Sequence, residues 1–239
     1  MKKFMALLLV AGMTLSLTAC GGSTDTAKTD QADGKDTFTV GFDQDFPPFG
    51  YVGDDGEFTG FDIEMATECA ARMGKKIVLQ PIDWDAKDME LEAGTIDCIW
   101  NGFTMNGRED QYTWTDPYMD NSQVVVVKKD SGINTLADLA GKVVEVQKES
   151  AAETALNDEE HADLMASFAQ LLSVGEYNTA FMDLESGAVD AVAIDIGVAQ
   201  FQIEGKEDQY QILDETISSE QYAVGFFLGN TALRDEVQS

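Results

Sequence analysis

Short apolar strands alternate with amphipathic helices twice along this chain of 239 residues. In the first run, strand patterns lie at 38–42, 76–80 and 96–100, and helical patterns lie between them at 61–73 and 86–93. The alternation predicts an α/β fold with parallel strands, because a strand that returns in parallel needs a crossover connection. Such sheets bind ligands at the carboxyl ends of their strands, so the residues that follow each strand are the candidate site residues.

A second run of alternating strands and helices follows, and its first strand, Gln123-Val-Val-Val-Val-Lys128, is almost continuously apolar. A strand of this composition is typically buried on both faces. The other predicted strands of this run are 142–146, 188–194, 210–213 and 222–228. The predicted helices are 134–139, 177–184, 196–203 and one that begins at Ser150, and Asn134 is the predicted cap of the first. The two runs together predict two α/β lobes.

The amino-terminal segment has the pattern of an export signal. Lys2 and Lys3 precede an apolar run from Phe4 to Leu17, which is too short for a membrane-spanning helix and typical of a secretory signal peptide. The run ends in Leu-Thr-Ala-Cys20-Gly, which resembles the lipobox of bacterial lipoproteins. The resemblance implies a signal peptide at 1–19 and a diacylglycerol on Cys20, which would anchor the protein to the bacterial cell membrane. The alternative is an ordinary signal peptide with a chance cysteine at its cleavage site.

Residues 21–35 contain no apolar side chain larger than alanine, so we predict that residues 20–36 form a flexible tether. The chain carries 44 acidic and 15 basic residues, a net charge of −29. This charge favours solubility and makes nucleic acid a poor partner. Cys69 and Cys98 lie in apolar periodic segments, so we predict buried thiols, and a disulfide between them stays open.

Polar and aromatic residues follow each predicted strand of the first run. The candidate binding residues of this half are Asp43, Phe46, Trp84, Gly102, Thr104 and Arg108. An arginine on a strand-end loop is either a solvated surface charge or a bidentate clamp for a carboxylate. The chain contains one histidine, His161, and no pattern of a catalytic triad, a metal site or a phosphate-binding loop, so we expect neither a cofactor nor catalysis.

The second run contributes Ser150, Ala151 and Asp195. Ser150-Ala-Ala-Glu153 matches a capping box, and the first N–H groups of the helix that it begins are candidate donors to an anion, although most capping boxes only begin helices. Asp195 follows a buried strand. Arg108 and the Ser150 helix start would donate to a carboxylate, while Asp195 and Thr104 would accept from an ammonium. The set is complementary to an α-amino acid.

Several ordered motifs between Thr37 and Ser239 resemble the polar amino acid-binding proteins of ABC importers, which are bacterial extracellular solute-binding proteins of family 3. The motifs are Gly41-Phe-Asp43 through Pro-Pro-Phe49, Gly60-Phe-Asp-Ile-Glu64, Gly102-Phe-Thr104 with Arg108, Asp116-Pro-Tyr118, Leu136-Ala-Asp-Leu-Ala-Gly141-Lys with Val146-Gln147, Val189-Asp-Ala-Val192 with Asp195, and Thr231-Ala-Leu-Arg234.

The resemblance implies a type II periplasmic-binding-protein-like fold, in which each lobe is a mainly parallel sheet with flanking helices. Two hinge strands, near 121–124 and 220–224, would join lobe 1 (37–120 plus 223–239) to lobe 2 (121–222). It also implies further helices after Ser239, so we expect lobe 1 to be incomplete in this sequence.

The resemblance also implies the roles of the nine candidate residues. The ligand carboxylate falls to Arg108, Ser150 and Ala151, the ammonium to Gly102, Thr104 and Asp195, and the side chain to Asp43, Phe46 and Trp84. Glu149 departs from the family, which commonly has glycine there, and places an anion near the carboxylate site.

Asp43 would repel an acidic side chain, so we expect the ligand to be a polar or basic L-amino acid. From the resemblance we expect a monomeric protein that delivers this ligand to an ABC permease and ATPase complex. Three alternatives stay open: a cystine-binding protein, a ligand-presenting component of a membrane receptor, and an enzyme on the same fold.

Overall fold

The computed structural model describes residues 36–239. The predicted signal peptide, the predicted lipidation at Cys20 and nearly all of the predicted tether lie outside the described residues. Within the described part, two large β-sheets with flanking helices, and one small sheet, form an α/β fold with two lobes, as the alternation of strands and helices predicts.

The first half of the described chain builds the first sheet and a small hairpin sheet. The strands are β1 (Thr37–Phe42), β2 (Asp45–Phe46), β3 (Gly50–Val52), β4 (Phe58–Thr59), β5 (Lys76–Pro81), β6 (Cys98–Ile99) and β7 (Thr113–Trp114), and the helices are α1 (Phe61–Arg72) and α2 (Lys87–Ala93), the latter preceded by a 3-10 turn at Trp84–Ala86.

The second half builds the second sheet and then returns to the first. Its strands are β8 (Met119–Lys128), β9 (Val143–Gln147), β10 (Gln170–Val174), β11 (Ala191–Asp195), β12 (Tyr210–Ile212), β13 (Ser218–Tyr222) and β14 (Gly225–Phe226), and its helices are α3 (Ala151–Asn157), α4 (Ala162–Ser167), α5 (Tyr177–Ser186), α6 (Ile196–Ile203) and α7 (Thr231–Gln238), with 3-10 turns at Leu136–Leu139 and Glu159–His161.

Both sheets are mixed, where the sequence predicted mainly parallel ones. The first has the strand order β5-β1-β6-β14-β7, in which β1 runs parallel to β5 and β6 while β14 is antiparallel to its neighbours. The second has the order β10-β9-β11-β8-β12, and β13 also pairs with β8. Strand β9 is parallel to β10 and β11, whereas β8 is antiparallel to all its partners. Strand β8, by which the chain enters the second sheet, and β14, by which it returns to the first, each run against all their neighbours.

The valine-rich strand β8 is buried on both faces, as predicted from its composition. Val124 and Val126 pack on one face against a cluster that includes Tyr177, and Val125 and Val127 pack on the other against a cluster that includes Leu156. Complete burial of each such side chain contributes about 1.5–3 kcal/mol. Strand β8 therefore holds the helices on both sides of the second lobe.

The predicted strand 222–228 is wrong as a single element, because the chain passes there from one sheet to the other. Strand β13 pairs with β8 in the second sheet, and β14 pairs with β6 and β7 in the first. Ala223 and Val224, which join them, are buried. A continuous apolar pattern reports this burial and does not reveal which sheet a residue joins.

Three smaller differences also have local causes. The helix predicted over 134–139 is a 3-10 turn over Leu136–Leu139, and its cap is Thr135 and not Asn134: the Thr135 N–H donates to Asp138 Oδ2 at 3.0 Å. Helix α4 and strand β10 were not predicted, because neither contains a fully buried residue and the apolar pattern is therefore weak. Cys98 is buried, Cys69 is partly exposed, and both are free thiols. Among the described residues, no helix has the length and apolar character needed to cross a membrane.

Candidate functional site

A narrow cavity lies where the two lobes face each other. The structure brings all nine predicted site residues to this cavity, together with two that were not predicted, Asn101 and Gln147. They come from both lobes and lie at or after strands β1, β5, β6, β9 and β11. This is the edge at which an α/β sheet is expected to receive a ligand.

Arg108 contributes an unpaired positive charge to the cavity. Its Nη1 donates to the carbonyl oxygen of Thr104 at 3.2 Å, and its Nη2 donates to that of Glu149, in the other lobe, at 3.4 Å. The guanidinium lies 5.4 Å from the centre of the Phe103 ring. Among the described residues it forms no ion pair with a carboxylate. The guanidinium is therefore held by neutral groups and keeps its charge for an anion from outside.

Ser150 caps the helix whose first residue, Ala151, lines the cavity. Ser150 Oγ accepts from the backbone N–H of Glu153 at 3.1 Å. The reciprocal bond of the predicted capping box is displaced by one residue, because Glu153 Oε2 accepts from the N–H of Glu149 at 2.6 Å. The first N–H groups of a helix have no partner within the helix, so the backbone N–H of Ala151 can donate to a ligand.

Asp195 contributes a buried carboxylate from the end of β11. Its Oδ1 accepts from Asn121 Nδ2 at 2.7 Å, Gln123 Nε2 at 2.7 Å and the Tyr222 hydroxyl at 2.6 Å. No described residue donates a hydrogen bond to Oδ2. Burial, together with the charge of Glu220, raises the pKa of Asp195 to about 7. A cation at the free oxygen would stabilise the ionised form.

Asp43 joins the two lobes at the opposite side of the cavity. Its Oδ2 accepts from Gln147 Nε2 at 2.6 Å across the interlobe gap, and its Oδ1 accepts from the N–H of Asp45 at 2.8 Å. Burial raises the pKa of Asp43 to about 6. Near neutral pH the group is still mainly a carboxylate, and it faces the region where a ligand side chain would lie.

Aromatic rings form the walls of the cavity. Phe46 packs 6.1 Å from Tyr177 of the second lobe, and Trp84 meets Phe103 edge to face at 5.6 Å. Gly102 has a φ of 56°, and a Cβ there would lie 2.9 Å from a carbon of Phe46. Only glycine allows the chain to turn at this place without pushing the aromatic wall away.

Two ion pairs close the rim of the cavity. Lys87 Nζ lies 3.0 Å from Glu149 Oε2, and Lys148 Nζ lies 2.7 Å from Asp85 Oδ2. Each pair joins the first lobe to the second. The carboxylate of Glu149, an anion expected near the carboxylate site, is therefore matched by a buried lysine.

Asn101 and Gln147 were missed as site residues although both lie at strand ends. Asn101 Oδ1 accepts from the N–H of Asp43 at 3.0 Å, and its Nδ2 is buried without a partner among the described residues. The sequence signal for both was present, because Asn101 begins the turn after β6 and Gln147 ends β9. Position after a strand predicted the region in which site residues lie. Which polar residues of that region line the cavity depends on their hydrogen bonds, and these are visible only in the structure.

The family model for bacterial extracellular solute-binding proteins, family 3, matches residues 38–238. The L-cystine-binding protein TcyJ of Escherichia coli (strain K12) is 30% identical over 232 residues, which are 96% of this chain and 83% of that protein. The arginine-binding extracellular protein of Bacillus subtilis (strain 168) is 36% identical over 148 residues, covering 62% of this chain and 56% of that protein.

A solved structure shows the same fold. The substrate-binding protein of an ABC uptake transporter from Streptococcus pneumoniae, crystallised with histidine, superposes with a TM-score of 0.80 at 33% identity, covering 85% of this chain and 84% of that one. The family match spans nearly all of the described residues, and so does the structural match. The chain therefore belongs to the bacterial extracellular solute-binding proteins of family 3.

Proposed function

We propose that this protein captures one L-amino acid in the interlobe cavity and delivers it to an ABC importer. The observation that carries the proposal is that Arg108, which has no carboxylate partner among the described residues, and Asp195, which has a free oxygen, line the same cavity. A zwitterion with both ends paired can be buried at a tolerable cost.

The proposed contacts divide the cavity into three regions. The ligand carboxylate would bind Arg108 and the helix start at Ser150 and Ala151, where the N–H of Ala151 is the backbone donor, because the N–H of Ser150 donates to the carbonyl oxygen of Gln147 at 3.2 Å. The ammonium would bind Asp195, the Thr104 hydroxyl and Gly102. The ligand side chain would lie between Phe46 and Trp84, with its end near Asp43.

The chemistry near Asp43 favours a polar or basic side chain. A carboxylate there would repel an acidic ligand and would accept from an amide, a hydroxyl or a cation. The relatives are described as binding histidine, arginine or cystine, all of which suit such a pocket. L-Cystine is the second candidate, because the cystine-binding relative matches nearly the whole chain.

We further propose that the lobes are 37–120 with 223–239, and 121–222. Strands β8 and β13, which begin and end the second range, pair side by side as two hinge strands would. The rim ion pairs of Lys87 and Lys148 would hold the two lobes closed on the ligand. The proposed role is binding and not catalysis, in accordance with a family of solute-binding proteins.

We also propose that the protein is anchored to the membrane and acts with an ABC importer. A lipid on Cys20 would hold the protein, as a monomer, outside the cell membrane, and residues 20–36 would let it reach an ABC permease and ATPase complex. A role in presenting the ligand to a membrane receptor would use the same cavity, and the two are distinguished by uptake of labelled amino acid in cells that lack this protein.

Thermal-shift measurements with the twenty amino acids and L-cystine test the ligand class. A ligand that binds only the folded protein stabilises it by about 2.7 kcal/mol at one hundred times its Kd. We expect a polar or basic amino acid, or cystine, to raise the unfolding temperature, while aspartate and glutamate leave it unchanged. A flat response across the whole panel would contradict the proposed function.

A further inference from the structure

A second buried carboxylate, Glu220, lies next to the proposed ammonium site. The resemblance to the family implied only that its segment is part of a hinge strand. In the structure Glu220 is buried on β13, and its Oε1 accepts from Thr104 Oγ1 at 2.8 Å and from Asn121 Nδ2 and Gln123 Nε2 at 2.7 Å each. The same two amides donate to Asp195 Oδ1 at 2.7 Å. Two carboxylates thus face each other across one shared pair of amide groups.

The bond from Thr104 to Glu220 determines what the hydroxyl can offer a ligand. A hydroxyl has one hydrogen and two lone pairs, and an ionised carboxylate can only accept. The hydrogen of Thr104 therefore points to Glu220, and its lone pairs remain for the cavity. With the free Oδ2 of Asp195, the site presents acceptors, as the N–H groups of an ammonium require.

The charge of Glu220 also acts on Asp195 directly. Burial is the larger cause of the raised pKa of Asp195, and the charge of Glu220 is the next, while the bonds from Tyr222, Gln123 and Asn121 oppose them. The other titratable groups near Asp195 are Tyr222 on the same strand as Glu220, Tyr177 on α5, and Arg108 and Asp43 around the cavity. An ammonium placed beside Asp195 would favour its ionised form, so binding near or below neutral pH would release a proton.

We propose that Glu220 is a positioning residue for recognition of the ligand ammonium: it holds the Thr104 hydroxyl as an acceptor and, facing Asp195 across two shared amides, couples ammonium binding to loss of a proton from Asp195. This inference rests on the proposed function. It extends the proposed site to a residue that does not line the cavity and acts through its neighbours.

Calorimetric titration of the folded protein tests the proposal with L-arginine, whose own groups do not titrate between pH 5.5 and 7.5, and with L-cystine as a second probe. Titrations at three pH values in that range, each in two buffers of different ionisation enthalpy, give the affinity and the number of protons released. For the parent we expect the affinity to increase with pH toward 7 and a proton to be released at pH 6.5.

Two variants separate the charge of Glu220 from its hydrogen bonds. Glu220→Gln keeps an acceptor oxygen and removes the charge, so we expect its affinity to reach a plateau at lower pH than the parent and fewer protons to be released at pH 6.5. Glu220→Ala also removes the acceptor of Thr104, so we expect about 10-fold to 100-fold weaker binding at pH 7.5, the range for a lost hydrogen bond to a charged group.

Asp43→Asn removes the other cavity carboxylate that titrates in this range, and the effect of Glu220→Gln on proton release should persist in that background. A merely structural role would weaken binding without changing the proton count. Unchanged proton release in Glu220→Gln would overturn the inference while leaving amino acid binding intact, whereas a parent that binds neither the two probes nor any amino acid would refute the proposed function as well.

Discussion

Arg108 is a cavity side chain whose positive charge has no carboxylate partner among the described residues. It is held by two carbonyl oxygens, one from each lobe, and by the face of Phe103. A surface arginine would normally gain from a nearby carboxylate in a protein with 44 acidic residues. Because its hydrogen-bond partners are neutral, this guanidinium can bind an external carboxylate.

Replacement of Arg108 by alanine is the most direct test at this scale. Removal of one partner of a buried charge pair costs about 2–5 kcal/mol, so we expect Arg108→Ala to weaken binding of the best amino acid ligand by about 30-fold or more in calorimetry. Arg72→Ala is the control, because that side chain is 78% exposed and pairs with Glu68 on the same helix. An Arg108→Ala protein with the affinity of the parent would refute the clamp.

Helix α5 illustrates how an element is positioned by its apolar face. Tyr177, Ala180 and Leu184 are fully buried against the second sheet, whereas Met182 on the same helix is 68% exposed. The spacing of the buried residues follows the helical period. Because Tyr177 also lies beside Phe46, the packing of this helix supports the aromatic wall of the cavity.

A pair of substitutions on α5 measures this packing. We expect Leu184→Ala to lower the free energy of unfolding by about 2–5 kcal/mol in urea denaturation, since it leaves a cavity in the core. Met182→Ala removes an exposed side chain and should change the free energy by no more than about 0.5 kcal/mol. Equal effects of the two substitutions would contradict the assigned orientation of the helix.

At the scale of the whole molecule, several carboxylates are buried without a basic partner among the described residues. Asp62 accepts from the N–H of Gly102 at 2.6 Å and from the Tyr118 hydroxyl at 2.9 Å, and burial raises its pKa to about 7. The pKa values of Asp43 and Asp195 are raised to about 6 and about 7. All three lie at or next to the cavity.

These raised pKa values predict how stability depends on pH. Between about pH 4 and pH 7 the folded protein binds more protons at these groups than the unfolded chain does, so unfolding releases protons and becomes easier as the pH rises. We expect the free energy of unfolding, measured in urea without ligand, to fall over this range. Asp62→Asn should make the fall smaller, while Asp54→Asn, at an exposed position, should keep the parent slope. Stability that increased from pH 4 to pH 7 would show that these side chains are ionised in the folded state.

Local patterns in the sequence determined the two α/β lobes, the strand buried on both faces and the positions after strands where nine site residues were sought. These follow from periodicity and turn chemistry, which act over a few residues. Only the tertiary structure decided which polar groups meet: Gln147 reaches Asp43 across 104 residues of sequence, and Thr104 reaches Glu220 across 116. The tertiary structure also pairs Glu149 with Lys87. Any basic residue that the fold brings near can neutralise a carboxylate, so the local sequence does not indicate which residue will do so.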